Sequence, residues 1–514
     1  MGRKANPLVA WQPSRAATIR VGVALLAIVV GIGPGPANAA GPDPVAAAIA
    51  LIDTGQFHSA DTQIARALQR QNLLGASRSG LEFQRERMRR ILLDFKLSEA
   101  EVKDRLRKTI PDLREEEFSA WDADGLLEHQ VINGRKLYFK SAASNLFHLS
   151  QVARARQQPL SPIIDGPLYK LNPYHRQARL EALASGRSSV TPRRVQVTYT
   201  LRVDADAVPD GETVRAWLPF PRALPGQQED IHLSASEPDA PVIAPEAKLQ
   251  RTVYLERVAH AGRKTEFSIT YELTTYGQFH AIDADKVVPA KITPALAEFV
   301  TERPPHIVFT PALRTFSREV VGEEKNPYRI AQRLFAAVDR TPWAVAREYS
   351  TLSNISDYAL HAGHADCGEQ TLLLMSLLRL NGIPARWQSG WEISDGSYND
   401  MHDWGGLYLA PYGWLPMDVT HGRLASDDPA LEWFYLGSLD GYRIAFNDDY
   451  SRQFFPPKHF FRSETVDLQR GEVEWKGGNV YFDQWHYDFK WELLPAAAKS
   501  AGALQPSTTA GTAG

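Results

Sequence analysis

Residues 371–381 read TLLLMSLLRLN and close on Gly382. A helix of that composition is apolar on nearly every side, so it is stable in water only inside a core. Asp366 followed by Glu369 is an acidic form of a capping box, and Gly382 is a C-terminal stop. The pattern therefore sets Cys367 at the first helical position. It is the one cysteine in 514 residues, which excludes an intrachain disulfide and a zinc site built from several thiolates. A helix N-terminus carries unpaired N–H groups and a positive partial charge, which favour a thiolate. The same donors could hold an oxyanion forming on a substrate. A nucleophile is one reading of this thiol; a small buried hydrophobe is the other.

A nucleophilic cysteine needs a base, and the base needs an orienting group. Residues 383–392 (IPARWQSGWE) read as a strand, followed by a polar loop over 394–400. A second strand opens on His402 (HDWGGLYLA), turns at Pro411-Tyr412-Gly413, and returns as WLPMDVT. Opposed residues of an antiparallel hairpin have a constant number sum. A turn centred on residue 410 sets His402 directly opposite Asp418; one centred on 411 sets them diagonal on the same face; a half-integer centre separates them unless a bulge intervenes, so the hairpin permits the contact without requiring it. Asp403 is the adjacent carboxylate, but strand neighbours point to opposite faces. Tyr349 and Trp343 lie upstream at places suited to a second oxyanion donor, with packing the plainer reading. His361, His364 and Cys367 form an H-x2-H-x2-C spacing, which lacks a fourth ligand for zinc unless His402 supplies it.

These segments carry a family resemblance. HADCGEQTLLLMSLLRLNGIPARWQSGW and then MHDWGGLYLAPYGWLPMDVT resemble the core of the transglutaminase-like superfamily, a papain-like group of cysteine enzymes. The resemblance implies that Cys367 is the nucleophile, His402 the general base and acid, and Asp418 the residue that orients the histidine. It departs from the commonest form of the motif in one place: Ala365-Asp366, rather than Gly-x, precedes the cysteine. The resemblance extends over residues 190–495 through a preceding β-rich region that includes VRAWLPFP.

The remaining organisation follows from period and composition. Residues 1–39 are expected to be an export signal: Arg3, Lys4, Arg15 and Arg20, then the 13-residue apolar stretch Val21–Gly33, then Ala37-Asn38-Ala39. The apolar stretch is short for a membrane span. Removing the four basic residues takes the net charge from −3 to −7, and neither value gives the basic footprint of a nucleic-acid partner. Residues 40–188 read as helical. Ala47–Ile52, Gly55 and Ile64–Leu68 resemble a single tetratricopeptide-type hairpin, Leu81–Leu106 a charged amphipathic helix, and Leu97-Ser98-Glu99 and Arg114–Glu117 helix starts. Residues 189–285 switch to period two at Val195–Val203 and Phe267–Leu273, a small antiparallel β-sandwich. Residues 286–495 form the catalytic core, and 496–514 a disordered tail. The C-terminal aromatics Trp475, Tyr481, Phe482, Trp485, Tyr487 and Trp491 fit strand packing better than a carbohydrate stripe.

The expected class is an α+β multidomain protein: a helical region, an antiparallel sandwich and a papain-like core. The expected function is exported, periplasmic or secreted thioester chemistry on amide or peptide bonds, ending in hydrolysis or transamidation. The substrate would be a protein or peptide, including cell-wall peptide. No cofactor or metal and no membrane span after signal removal are expected. The alternative is a catalytically inactive binding or scaffold protein of the cell envelope that keeps the fold.

Overall fold

The computed structural model describes residues 43–160, 167–394 and 399–495. The expected signal, the C-terminal tail and most of the 394–400 loop lie outside the described residues. The architecture is α+β. Among the described residues, seven helices lead: α1 (Pro44–Asp53), α2 (Phe57–Leu68), α3 (Gly75–Asp94), α4 (Glu99–Arg107), α5 (Glu115–Ala123), α6 (Ala142–Leu149) and α7 (Gln151–Ala155). A small sheet of order β1-β3-β2 is set among them, from β1 (Phe95–Leu97), β2 (His129–Ile132) and β3 (Arg135–Phe139). The charged stretch Leu81–Leu106 holds two helices, the second beginning at the Leu97-Ser98-Glu99 start. β1 pairs with β3, and Ser98 restarts the helix through a reciprocal capping box with Glu101. This helical region has its own apolar core, which includes Ile64, Leu81, Phe95 and Leu146.

α8 (Pro173–Ser185) leads into the sandwich, capped by Asn172 and stopped by Gly186 in the left-handed region. The sandwich strands are β4 (Ser189–Val203), β5 (Thr213–Pro219), β6 (Gln228–Glu237), β7 (Val242–Ile243), β8 (Thr252–Val258) and β9 (Thr265–Gln278). β9 alternates buried and half-buried residues along its whole length, as its period of two requires. The C-terminal strands β14 (Glu472–Trp475), β15 (Gly478–Val480) and β16 (Trp485–Leu494) complete the two sheets, of order β15-β14-β5-β8-β7 and β16-β4-β9-β6. Sequence pattern alone groups 472–494 with the core, because strand partners far apart in sequence leave no local signal. The aromatics of β16 serve this packing: Tyr487 stacks on Tyr199, with Trp485 buried.

Between the two parts of the sandwich, the chain forms α9 (Pro294–Ala297), α10 (Pro311–Val321), α11 (Pro327–Val338), α12 (Ile355–His361), α13 (Cys367–Leu380) and α14 (Pro429–Glu432). They accompany an antiparallel sheet of order β12-β11-β10-β13, from β10 (Ala385–Ile393), β11 (Asn399–Leu409), β12 (Gly413–Met417) and β13 (Arg443–Asn447). α13 is buried along nearly its whole length: Leu372, Leu373, Leu374, Met375, Leu377 and Leu378 are each at most 2% exposed. Each such side chain contributes roughly 1.5–3 kcal/mol of burial, so the helix is a fixed axle for whatever sits at its tip. Among the described residues, no helix is long and apolar enough to cross a membrane.

Candidate active site

Cys367 is the first residue of α13. The Asp366 side chain accepts from the Glu369 N–H at 3.0 Å, and Glu369 reaches back to the Asp366 N–H. The thiol opens on a cavity of about 300 Å³ walled by the 343–349 segment, the 464–471 segment and the start of β11. The first wall is held from behind by the helical region. The Asn145 amide donates to the Val345 carbonyl at 2.8 Å and accepts from its N–H at 3.1 Å. Asp94 accepts from the Glu348 N–H, and Arg87 donates to the Thr351 carbonyl. The second wall is held the same way: Arg90, fully buried, donates to the Ser463 carbonyl and lies over the Tyr481 ring. The helices that carry no recognisable chemistry in sequence are thus the buttress of the cleft.

The hairpin turns about residue 411, since Gly405 pairs with Met417 and Leu409 with Gly413. His402 and Asp418 are therefore diagonal on one face, and His402 Nε2 lies 2.7 Å from Asp418 Oδ2. A proton on Nε2 leaves Nδ1 as the imidazole's acceptor. His402 does not reach the thiol as a hydrogen-bond partner. Its strand neighbour does: the Cys367 S–H donates to Asp403 Oδ2 at 3.4 Å. The two side chains leave opposite faces of β11, Asp403 towards α13 and His402 towards Trp404, Tyr169 and His421.

Asp403 sits in a dense polar setting. Tyr349 donates to its Oδ2 at 2.9 Å, and Gln469 donates to its Oδ1 at 2.8 Å. Asp467, which accepts from Ser389 at 2.6 Å, is its second carboxyl neighbour. Burial and then the Asp467 charge push the Asp403 carboxyl well above the usual carboxylate range. Burial raises Asp366 to about 6 and Glu464, on the cavity wall, to about 8. Burial, then Asp403 and Asp366, pushes the Cys367 thiol well up, against the pull of the helix N-terminus. Tyr349 packs as a donor to two carboxylates, the other being Asp366 Oδ1 at 3.2 Å. Trp343 lines the cavity and is partly exposed.

On the other face, His402 and Asp418 belong to a larger buried cluster. His421 Nε2 is 2.8 Å from Glu392 Oε2, and Arg443 bridges Asp418 at 2.7 Å and Asp440 at 2.8 Å. Burial works against an ionised Asp418, but His402, His421 and Arg443 outweigh it and hold its pKa well below the carboxylate range. Burial likewise opposes a charged His421, while Glu392 and Asp418 lift its pKa. Donor atoms of Glu392, His402 and His421 lie within 4.8 Å of one another, which is close enough for a metal ion. The Arg443 guanidinium, 3.2 Å from His421 Nε2, already supplies a cation among these acids. The His361, His364 and Cys367 donors do not converge among the described residues; His361 is exposed and His364 faces Glu128.

Sequence reasoning singles out neither Glu392, His421, Arg443 and Asp440 nor Asp467 and Gln469. His421 had a local signal, since its N–H and that of Thr420 both turn back onto Asp418 Oδ1. The others arrive from distant segments and had none.

Residues 314–419 match the family model of the transglutaminase-like superfamily, and the chain carries a domain of that superfamily there. The match spans α10 to the residue after Asp418, and so contains Cys367, His402 and Asp403. Among solved structures, the chain is similar to one described as a "putative cysteine protease" from Cytophaga hutchinsonii. Identity is 13% and the TM-score 0.40, over 60% of this chain and 93% of that one. No curated protein matches the chain.

Proposed function

We propose that the protein is an exported cysteine acyl-transfer enzyme. Cys367 attacks a carboxamide or peptide carbonyl, the amine leaves, and water or a second amine resolves the thioester. The observation that carries this reading is the position of the thiol. The one cysteine of the chain stands on the first turn of a buried helix, facing a cavity of about 300 Å³, within the superfamily domain. His402 and Asp418 are the imidazole–carboxylate couple that the family resemblance implies as its acid–base partner. Glu348, Asp366, Asp400 and Asp467 on the walls, against Arg347 and Arg470, favour a cationic peptide or an acceptor amine. Cell-wall peptide with free amino groups fits that description, and export through the N-terminal signal would deliver the protein to it.

A second reading, an inactive binding or scaffold protein of the envelope, is favoured by one specific observation: a carboxyl group, that of Asp403, and not an imidazole, touches the thiol. Incubation with glutamine-containing peptides, with and without a diamine, decides between them. Ammonia release, cleavage or cross-linking that Cys367→Ala abolishes supports the enzyme. Intact peptides and an unacylated thiol in the wild-type protein support the scaffold.

A further inference from the structure

We infer that a second pocket, where the sandwich meets the core, binds a small amino-acid zwitterion, with its carboxylate on Arg386 and its ammonium group on Asp448. The pocket holds about 310 Å³ and lies apart from the cavity of Cys367. Gln227 reaches it from the loop between β5 and β6. Arg386 and Gln388 come from β10, Gly406 from β11, Trp414 from β12, and Asp448 from the residue after β13. Arg386 pairs with Gly406, and Gln388 with Trp404, so these side chains share the face of the sheet that carries His402. The inference is independent of any role for Cys367.

Three observations carry it. The first is an arginine held in place by a ring. Arg386 lies over Trp414, with Cζ 4.6 Å from the ring centroid. Phe299 and Tyr408 meet that ring edge-on at 5.1 Å and 5.7 Å and fix it. Among the described residues, the guanidinium donates no hydrogen bond, and its one charged neighbour is Asp448, with Nη1 4.0 Å from Oδ2. The second is the strand between. Gly406 of β11 stands between Arg386 of β10 and Trp414 of β12, and a Cβ there would lie 3.2 Å from the Leu415 carbonyl oxygen and 3.5 Å from Arg386 Nε. The bare glycine is what lets the arginine lie down across the sheet. The third is the opposing carboxylate. Gln388 accepts from Gln227 at 2.6 Å and from the Trp404 N–H at 2.5 Å, and donates to Asp448 Oδ1 at 3.0 Å. That chain fixes Asp448 and leaves its Oδ2 towards the guanidinium.

The chemistry of the ligand follows from these groups. A stacked guanidinium presents a planar fork of donors, which takes a carboxylate through two parallel hydrogen bonds. Holding the fork on a fixed ring lowers the ordering cost of binding. An anion without a cation of its own, such as phosphate, would meet the Asp448 carboxylate at close range. A ligand that also carries an ammonium group turns that repulsion into a second ion pair. Arg386 and Asp448 together are neutral, and so is the zwitterion that matches them. The volume is near the lower end for small-molecule pockets, which limits the ligand to a free amino acid or a dipeptide. A seam between packed units is also a common place for such a pocket.

The test is calorimetric titration of the full chain with glycine, glycylglycine, N-acetylglycine and glycinamide. N-acetylglycine lacks the ammonium group and glycinamide the carboxylate. Wild type is expected to bind a zwitterion at least about tenfold more tightly than either. The tighter of glycine and glycylglycine identifies a free amino acid or a dipeptide as the source. Arg386→Gln is expected to weaken zwitterion binding at least about tenfold, and Asp448→Asn to erase the preference for glycine over N-acetylglycine. Arg386 is partly exposed and donates no hydrogen bond, so Arg386→Gln should keep the wild-type circular dichroism. Gly406→Ala retains every polar group of the pocket and is expected to weaken binding by displacing the arginine. Wild-type protein that binds neither zwitterion at millimolar concentration overturns the inference and leaves the arginine–tryptophan stack a structural contact. Zwitterion binding undiminished in both Arg386→Gln and Gly406→Ala overturns it as well, because the ligand then sits elsewhere.

Discussion

Gly368→Ala is the smallest change that tests the geometry of the cleft. The added carbon would sit 1.8 Å from the Tyr349 hydroxyl and 2.5 Å from its ring carbon, where contacts under 3.0 Å essentially never occur. Tyr349 must retreat by roughly 1.2 Å at the hydroxyl, but it is 8% exposed and its hydroxyl is committed to Asp403 and Asp366. Overpacking costs about 1–3 kcal/mol, and a lost hydrogen bond to a charged group about 1.5–3 kcal/mol. Alanine's better helix propensity returns up to about 1 kcal/mol. The net expectation is a destabilisation of about 3 kcal/mol, near the middle of that range, with the thiol less shielded. Urea unfolding followed by tryptophan fluorescence reads the first and iodoacetamide alkylation the second. Because the strain is shared with the tyrosine, Tyr349→Leu should cost less in the Gly368→Ala background than in wild type. A Gly368→Ala protein within about 0.5 kcal/mol of wild type, with the two substitutions additive, would refute the placement of Tyr349 over the helix start.

Further expectations follow from named contacts. Asp418→Asn leaves Arg443 and His402 short of a buried anion and should cost about 3–5 kcal/mol in urea unfolding; a loss below 1 kcal/mol would mean that the cluster is not formed. Asn145→Ala removes both hydrogen bonds to Val345 and should raise hydrogen exchange over 343–349 while leaving β4 and β9 protected. His306 is buried, and desolvation with Arg303 nearby lowers its pKa to about 4. The unfolded chain, near 6.5, binds the proton first, so the stability His306 contributes is full above about 6.5 and falls by up to about 3 kcal/mol as pH drops to 4. His306→Gln should lose less stability over that window. Dialysis against a chelator should leave stability and thiol reactivity unchanged, because Arg443 is the cation among Glu392, His402, His421 and Asp418.

What the sequence makes legible here is whatever depends on neighbours within about twenty residues. The α13 cap, the buried helix and the hairpin follow from local spacing, and hairpin arithmetic permits the His402–Asp418 contact while leaving open whether the pair is direct, diagonal or separated. The Gly405–Met417 pairing makes it diagonal. The face on which the hairpin meets α13 lies beyond such arithmetic. Alternation says that His402 and Asp403 diverge, but which of them looks at Cys367 depends on packing between a helix and a sheet. That packing is set by Thr371, whose hydroxyl donates to the Asp403 carbonyl, and by Gly405, which lets Thr371 and Met417 close in. The same limit hides the pairing of β14 with β5 and of β16 with β4, each across more than 200 residues. It also hides the buttressing of the cleft by Asn145, 200 residues from Val345. In a bare sequence, the H-D-W triplet directs attention to the histidine, because imidazole is the usual partner of a catalytic thiol. In the structure the thiol's hydrogen-bond partner is Asp403, while His402 lies on the opposite face with Asp418, Glu392, His421 and Arg443, because alternation along β11 sends adjacent side chains to opposite faces of the sheet.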